Sequence, residues 1–303
     1  MADLARTWPQ RRRRLAFSTN AFKQTSCAAA IDAIADVGYA GVELMADQPH
    51  FTPSQMTTSE VADLSDQVAD RELTVSNVNA FTGFFAAEEP GYPHGRPTGD
   101  TYHPTWLDPD ADRRDVRVQH TLSSIRLAAA VGAATVSLQP GGPTIGTSLS
   151  RPAAGRRFAE GVRRCLPTAR ELGVTLAIEP EPGLFLQTTL EYADWKDEHF
   201  ADEPLVSMNF DVGHAFCVGE DPATIAREMA GQYAHVHLED IAASRVHQHL
   251  VPGEGAIDFA ALFAALDEVG YVGWVTVELY PFLNDAAGVA QRAFAHLRGL
   301  LGG

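Results

Sequence analysis

The sequence has few cysteines, no long apolar run and a deficit of basic residues. Its three cysteines, Cys27, Cys165 and Cys217, lack the CxxC spacing of zinc or redox motifs, so we expect reduced thiols in a cytoplasmic protein. No segment reaches the run of about 18 apolar residues that a membrane-spanning helix needs, so we expect no membrane partner. With 23 basic and 39 acidic residues, the net charge is −16, which argues against nucleic acid and anionic membranes as partners.

A helical pattern that ends in glycine, followed at once by an apolar segment, recurs through the chain. Gly38, Gly132, Gly173 and Gly270 occupy such positions. Glycine suits the left-handed position that ends a helix, and continuous apolar segments suit parallel strands buried on both faces. The predicted strands are about 15–20, 41–46, 73–80, 134–139, 174–180, 205–211, 233–239 and 273–279. Strict alternation over eight units predicts a single (β/α)8 TIM barrel, with a doubly wound sheet as the alternative.

The chain length agrees with one such barrel, for which about 250 residues plus insertions are typical. We therefore interpret residues 1–303 as a single domain. The basic cluster Arg11 to Arg14 is followed by Leu15-Ala16-Phe17 and then by polar residues, so it lacks the apolar part of a targeting signal. Residues 1–14 are expected to be a solvated leader.

Two connections exceed ordinary loop length, and both follow strands. Residues 82–113, after the third strand, are rich in Gly, Pro, His and aromatic residues. Residues 241–257, after the seventh strand, contain Arg245, His247 and His249. In a barrel both loops would overhang the carboxyl-terminal mouth, where active sites lie. Surface loops without a functional role are the alternative.

Four consecutive late strands each end in a residue that can bind a metal. These residues are Glu179, Asp211, His237 and Glu278. Burial of unpaired carboxylates is expensive, and a divalent cation offsets that cost. Three carboxylates and one imidazole favour Mn²⁺, with Mg²⁺ and Co²⁺ as alternatives. Each residue alone could be a helix cap, an ion-pair member or a core histidine, so the prediction rests on the set.

The same residues lie in motifs that resemble a known family. The chain resembles the xylose isomerase-like barrel superfamily, in its sugar phosphate isomerase/epimerase branch, in the segments Glu179-Pro-Glu-Pro, Asn209-Phe-Asp-Val-Gly-His214, His235-Val-His-Leu-Glu-Asp240 and Val277-Glu278. That branch includes ketose 3-epimerases, hydroxypyruvate isomerase and inosose dehydratase, and the resemblance covers essentially the whole chain.

The resemblance implies specific roles for these residues. The metal ligands would be Glu179, Asp211, His237 and Glu278, and the two glutamates would exchange the proton of a substrate carbon from opposite sides. His214 would hold a substrate oxygen. The resemblance also allows a homo-oligomer, because relatives often form dimers or tetramers.

Two departures from the ketose 3-epimerases affect the choice of substrate. Those enzymes have a second glutamate where this chain has Phe185, and an arginine where it has Ala243. Glu181 and Arg245 are the candidate substitutes, although Glu181 could equally form an ion pair. Polar residues near the early strand ends could bind substrate hydroxyl groups or simply form a polar rim: Asn20, Glu43, Asn77, Asn79 and Gln139.

The favoured function is a divalent-metal-dependent isomerase or epimerase of a small polyhydroxylated carbonyl compound, either a ketose or a keto-cyclitol. A carboxylate would remove the proton next to the carbonyl, and the cation would stabilise the resulting enediolate. A dehydratase or other lyase shares this first step and is the main alternative. A phosphodiesterase resembling endonuclease IV, which needs more histidine ligands and a basic surface, and a non-catalytic sugar-binding barrel are remote alternatives.

Overall fold

Eight parallel strands close into a barrel in the computed structural model, which describes residues 14–80, 104–142 and 149–301. The strands are β1 Leu15–Ser18, β2 Gly41–Met45, β3 Thr74–Asn79, β4 Thr135–Leu138, β5 Thr175–Ile178, β6 Val206–Asp211, β7 Tyr233–Leu238 and β8 Val275–Val277. Each strand pairs with the next one in chain order, and β8 pairs with β1. The predicted TIM barrel is therefore confirmed, and the doubly wound sheet is excluded.

Helices alternate with these strands. They are α1 Cys27–Val37, α2 Thr58–Asp70, α3 Ala111–Ala130, α4 Arg151–Leu172, α5 Thr189–Phe200, α6 Val212–Cys217, α7 Pro222–Glu228, α8 Phe259–Glu268 and α9 Ala286–Leu300. A capping box starts α2, because Thr57 and Glu60 each accept a hydrogen bond from the other's backbone N–H. Gly38 and Gly173 end α1 and α4 at φ angles of 104° and 69°, the left-handed conformation that the sequence predicts.

The core lies between the barrel and its helices as well as inside the barrel. Every residue of β1, β2, β6 and β8 is buried, as expected for strands covered on both faces. Helix α8 illustrates the outer layer, since it buries Phe259, Leu262, Phe263 and Leu266 on one face. Within the described residues, no helix combines the length and the apolar character needed to cross a membrane.

The sequence predicts long connections after β3 and β7, at the carboxyl ends of the strands. Most of the first connection, residues 81–103, lies outside the described residues, and so does the predicted leader except for Arg14. The second connection, residues 239–258, is described and contains an antiparallel bridge between Asp240 and Leu250. The Asp240 carboxylate holds this loop by accepting hydrogen bonds from four backbone N–H groups, those of Ile241, Gly253, Gly255 and Ile257.

Candidate active site

Four side chains from the last four strands converge at the carboxyl-terminal mouth of the barrel. They belong to Glu179, which follows β5, Asp211, which ends β6, His237 in β7, and Glu278, which follows β8. One possible ligand atom of each lies within 4.8 Å of the others. Carboxylate oxygens of Glu179, Asp211 and Glu278 lie 3.2, 3.8 and 3.8 Å from His237 Nδ1. We call these four residues the carboxylate cluster.

The carboxylate cluster is buried and contains more acid than one imidazole can neutralise. Burial raises the pKa of Glu278 well above its ordinary value, and the neighbouring carboxylates add to this effect although His237 opposes it. Burial raises the pKa of Glu179 as well. Glu179 Oε2 and Asp211 Oδ2 find no hydrogen-bond donor among the described residues. Buried acidic oxygens without donors are suitable ligands for a divalent cation, so these residues fit such an ion.

Glu43 contacts His237 on the side away from the carboxylate cluster. Its Oε2 lies 2.6 Å from His237 Nε2 and accepts a hydrogen bond from Asn77 Nδ2 at 2.8 Å. Burial alone would raise the pKa of Glu43, but His237 and His235 hold it below its ordinary value, so Glu43 is ionised. An ionised Glu43 accepts the Nε2 proton of His237 and leaves Nδ1 as a lone-pair donor to a metal. Glu43 therefore positions a candidate ligand.

Two asparagines near the early strand ends hold Glu278. Asn20 donates a hydrogen bond through Nδ2 to Glu278 Oε1 at 2.8 Å, and Asn79 donates to the same oxygen at 3.3 Å. The other carboxylate oxygen of Glu278 is the one that faces His237. Asn79, predicted as a substrate contact, thus lies against a member of the carboxylate cluster.

His214, Gln139 and Glu181 are also buried. His214 directs Nδ1 to within 3.6 Å of Asp211 Oδ1, and its backbone N–H donates to that oxygen at 2.7 Å. Gln139 Oε1 finds no donor among the described residues. Glu181 lies near Tyr280, whose pKa is raised by burial and, to a smaller extent, by nearby acids that include Glu181. All three predicted substrate contacts are therefore buried, and their role as substrate contacts stays a prediction.

The remaining predicted contact, Arg245, lies elsewhere. Its side chain is directed to Phe216, where the guanidinium donates to the backbone carbonyl at 2.6 Å and lies 4.3 Å from the ring centre. Phe185, at the position of the second glutamate of the ketose 3-epimerases, is buried with its ring against Phe158. Ala243, at the position of their arginine, is exposed. The structure therefore does not bring Arg245 to the carboxylate cluster.

Glu239 is a buried acid to which the sequence analysis assigns no role. Its carboxyl group lies next to Gly213, where an added Cβ atom would overlap it. Burial, followed by the charge of Asp211, raises the pKa of Glu239 well above its ordinary value. The sequence contains one signal for the position of Glu239. It alternates with His235 and His237 along β7 and its end, and alternate residues of a strand point to the same face.

Comparison with known proteins identifies relatives by sequence. The xylose isomerase-like TIM barrel family matches residues 31–300. An inosose dehydratase of Lacticaseibacillus casei is 33% identical over 138 residues, which cover 40% of this chain and 46% of the relative. An inosose dehydratase of Clostridium beijerinckii is 34% identical over 137 residues, covering 40% of this chain and 45% of the relative. The match thus spans less than half the length of these curated relatives.

Solved structures share the barrel over nearly the whole chain. A D-tagatose 3-epimerase-like protein has a TM-score of 0.74 at 19% identity, covering 95% of this chain and 98% of that chain. An IOLI protein with a bound zinc atom has a TM-score of 0.75 at 15% identity, with coverages of 95% and 98%. An L-ribulose 3-epimerase has a TM-score of 0.73 at 19% identity, with coverages of 95% and 94%. At these identities the likeness establishes the fold alone.

Proposed function

The chain belongs to the xylose isomerase-like TIM barrel family, and from this membership and its carboxylate cluster we propose that it is a divalent-metal-dependent isomerase or epimerase. The proposed substrate is a small polyhydroxylated carbonyl compound, a ketose or a keto-cyclitol. The observation that carries this proposal is the convergence of two glutamates, Glu179 and Glu278, on one set of candidate ligands. Paired carboxyl groups suit a reaction that removes a proton and returns it.

The proposed metal ligands are the four members of the carboxylate cluster. Three carboxylates and one imidazole favour Mn²⁺, with Mg²⁺ and Co²⁺ as alternatives. The zinc atom of the IOLI protein, which has the same fold, supports a divalent ion in this chain. When bound, the ion supplies positive charge that stabilises the negative charge developing on the substrate carbonyl oxygen.

The side chains of this protein carry the proton transfer in the proposed reaction. Glu179 and Glu278 are the proposed proton carriers, because both are buried at the mouth and each directs one carboxylate oxygen to His237. One glutamate takes the proton from the carbon next to the carbonyl, and the other returns a proton from the opposite side. Asn20 and Asn79 keep Glu278 in place through its other carboxylate oxygen. Gln139 and Glu181 are the proposed contacts for substrate hydroxyl groups.

Dehydration of a keto-cyclitol is the second candidate, and the sequence relatives favour it because they are inosose dehydratases. The first proton removal is the same, but a hydroxyl group on the next carbon then takes up a proton and leaves as water. Phe185 and Ala243 replace two groups of the ketose 3-epimerases, which also favours a substrate other than their ketohexoses. The net charge of −16 supports a small-molecule substrate over DNA.

Solvent exchange tests both candidates. The Mn²⁺-loaded protein is incubated in D₂O with a panel of ketoses and inososes, and mass spectrometry and NMR follow the carbon next to the carbonyl. Deuterium incorporation without loss of mass as water supports the isomerase or epimerase. A product lighter by one water supports the dehydratase. If neither occurs on any compound while metal analysis shows a loaded protein, both candidates are contradicted.

A further inference from the structure

An apolar groove opens on the face of the barrel opposite to the mouth. It lies between α8, the loop that joins α8 to β8, and the first residues of β1 and β8. Its empty space is about 640 Å³, including the part that is open to solvent. Six apolar side chains line it, those of Leu15, Phe263, Leu266, Val272, Val275 and Leu301. We call it the basal groove.

Val272 forms an exposed apolar rim of the basal groove. It is 69% exposed, whereas Phe263 and Leu266, which line the same groove, are buried. Continuity between an apolar groove and an exposed apolar side chain is typical of a surface that binds another segment of polypeptide. The basal groove therefore has the character of a docking surface.

The basal groove lies over the seam at which the barrel closes. Leu15 of β1 pairs with Val275 of β8, and the backbone N–H of Val275 donates to the carbonyl oxygen of Arg14 at 3.1 Å. β8 is the shortest of the eight strands, with three residues. A segment bound in the groove would contact both strands of this seam and hold them together.

The segment best placed to fill the groove is residues 1–13 of the leader. Arg14, to which this segment is joined, itself lines the groove. Trp8 precedes Arg14 by six residues, which span at most about 20–22 Å when fully extended. A tether this short gives an effective concentration in the millimolar range, so even a weak contact is well populated.

The side chains of this segment suit the apolar lining. Trp8 is its largest apolar side chain, and Leu4 and Pro9 are also apolar. A tryptophan ring carries a large apolar area, and it favours offset or edge contacts with another aromatic ring such as that of Phe263. Trp8 is therefore the natural anchor for the basal groove.

Charge also favours binding within the same chain. Residues 1–13 contain four arginines and one aspartate, a net charge of +3, so the remaining residues carry −19 of the total of −16. Asp267 places a carboxylate in the lining of the groove. The basic residues Arg11 to Arg13 are thus attracted both to the protein as a whole and to the groove itself.

We propose that residues 1–13 bind in the basal groove of their own chain, with Trp8 inserted among its apolar side chains and the arginines beside Asp267. The segment then clasps the seam between β1 and β8. This proposal replaces the expectation of a fully solvated leader. It concerns the face remote from the carboxylate cluster and is independent of the proposed function.

Fluorine NMR tests the position of Trp8 in the full chain. Labelling with 5-fluorotryptophan gives one resonance for each of the four tryptophans, and the variant Trp8→Phe identifies the Trp8 resonance by its loss. A soluble, neutral gadolinium chelate broadens the resonances of exposed rings. In the wild type we expect the Trp8 resonance to resist broadening about as well as that of Trp106, which is 2% exposed.

A change at the rim of the groove should release Trp8. Val272→Lys removes an apolar contact and adds a charge that repels the arginines, so the Trp8 resonance should broaden as strongly as in urea-unfolded protein. Val116→Lys is the matched control, at another exposed valine in α3, and should keep Trp8 shielded. Melting temperatures give a second readout. Trp8→Ala should lower that of the wild type by at least about 2 °C but leave that of Val272→Lys unchanged.

Three results would overturn the proposal. A Trp8 ring that is fully exposed in the wild type contradicts binding altogether. A shielded ring that Val272→Lys does not release lies somewhere other than the basal groove. Shielding that disappears on dilution contradicts binding within one chain and shows insertion into a second copy. None of these results depends on metal or turnover, so failure here is distinguishable from failure of the proposed function.

Discussion

Glu43 and His237 meet at 2.6 Å between Oε2 and Nε2, although 194 residues separate them in the chain. The contact ties β2 to β7 and directs the opposite ring nitrogen of His237 to Glu179. A carboxylate behind a ligand histidine sets the orientation of the ring and raises its basicity. The candidate metal centre thus includes a residue of an early strand, which is distant in sequence from the strands that supply the ligands but in contact with one of them.

Removing the charge of Glu43 should weaken metal binding without changing the fold. We expect Glu43→Gln to reduce the affinity for Mn²⁺ by about 10–100-fold, because the amide cannot stabilise the Nε2 proton as a carboxylate does. Competitive titration of the metal-free protein with Mn²⁺ measures the change. The control is Glu60→Gln, which alters an exposed capping residue at the start of α2 and should leave the affinity unchanged. Equal affinities in Glu43→Gln and the wild type would contradict the positioning role.

Glu278→Gln should slow proton exchange strongly while the barrel stays folded. Loss of a positioned acid or base typically slows proton transfer by about 10²–10⁴-fold, and the deuterium-exchange rate with an active substrate measures this. Asn20→Ala removes the donor at 2.8 Å from Glu278 Oε1 and should cause a smaller loss. Circular dichroism and the melting temperature report the fold. Unfolding of Glu278→Gln would indicate a structural role instead.

Without metal, the contribution of Glu278 to stability should fall as pH rises. Burial, reinforced by the neighbouring carboxylates, raises the pKa of Glu278 well above its ordinary value of 4.5 in the metal-free protein. The folded state then keeps a proton that the unfolded state releases, so this contribution is complete below the ordinary pKa and is lost as pH rises through the folded pKa. We expect the free energy of unfolding to fall more steeply between about pH 5 and about pH 8 in the wild type than in Glu278→Gln.

Urea unfolding of both metal-free proteins at each pH measures the two slopes, and the comparison cancels groups that the variants share. Metal loading should reverse the trend, because ligands must be deprotonated to bind and affinity therefore rises with pH. Parallel slopes in the two metal-free proteins would show that Glu278 does not carry the raised pKa.

The contact between Gly213 and Glu239 predicts a coupled pair of substitutions. A Cβ at position 213 would overlap the Glu239 carboxyl group and lie 3.0 Å from Ile241 Cγ1. We expect Gly213→Ala to reduce the free energy of unfolding by about 1–3 kcal/mol, as overpacking does. The double variant Gly213→Ala/Glu239→Ala should lose less than the sum of the single variants.

Chemical denaturation of the wild type, the two single variants and the double variant measures the four free energies of unfolding that this comparison needs. Gly299→Ala is the matched control, because a Cβ there meets no atom within 4 Å and alanine favours the helix. Additive losses in the Gly213 and Glu239 variants would contradict direct packing between the two positions.

The barrel could be predicted because its signal is local and repeated. Each observed strand falls within its predicted range, since glycine stops and apolar runs are properties of short segments. Strand ends are less predictable because they depend on backbone pairing. β5, for example, ends at Ile178, two residues before Pro180, which has no N–H to donate to a neighbouring strand.

The residues of the candidate site also differ in how well the sequence predicts their positions. Strand ends of a closed parallel barrel meet at one mouth, so the convergence of Glu179, Asp211, His237 and Glu278 could be expected from their positions in the sequence. The contact of Glu43 with His237 could not, because it depends on side-chain directions in strands far apart in the chain. Arg245 shows the same limit, since a backbone φ of 59° and the path of its loop place the guanidinium against Phe216.

The members of the carboxylate cluster lie at the ends of four consecutive strands of one closed ring and are spread over residues 179–278, so only the folded barrel brings them together. An ion that binds only the closed ring is thermodynamically linked to folding, and at a free concentration of about 100 times its Kd it adds about 2.7 kcal/mol to stability. The supply of metal would then set the fraction of chains that a protease can reach. The cellular lifetime of the protein would then depend on the supply of metal.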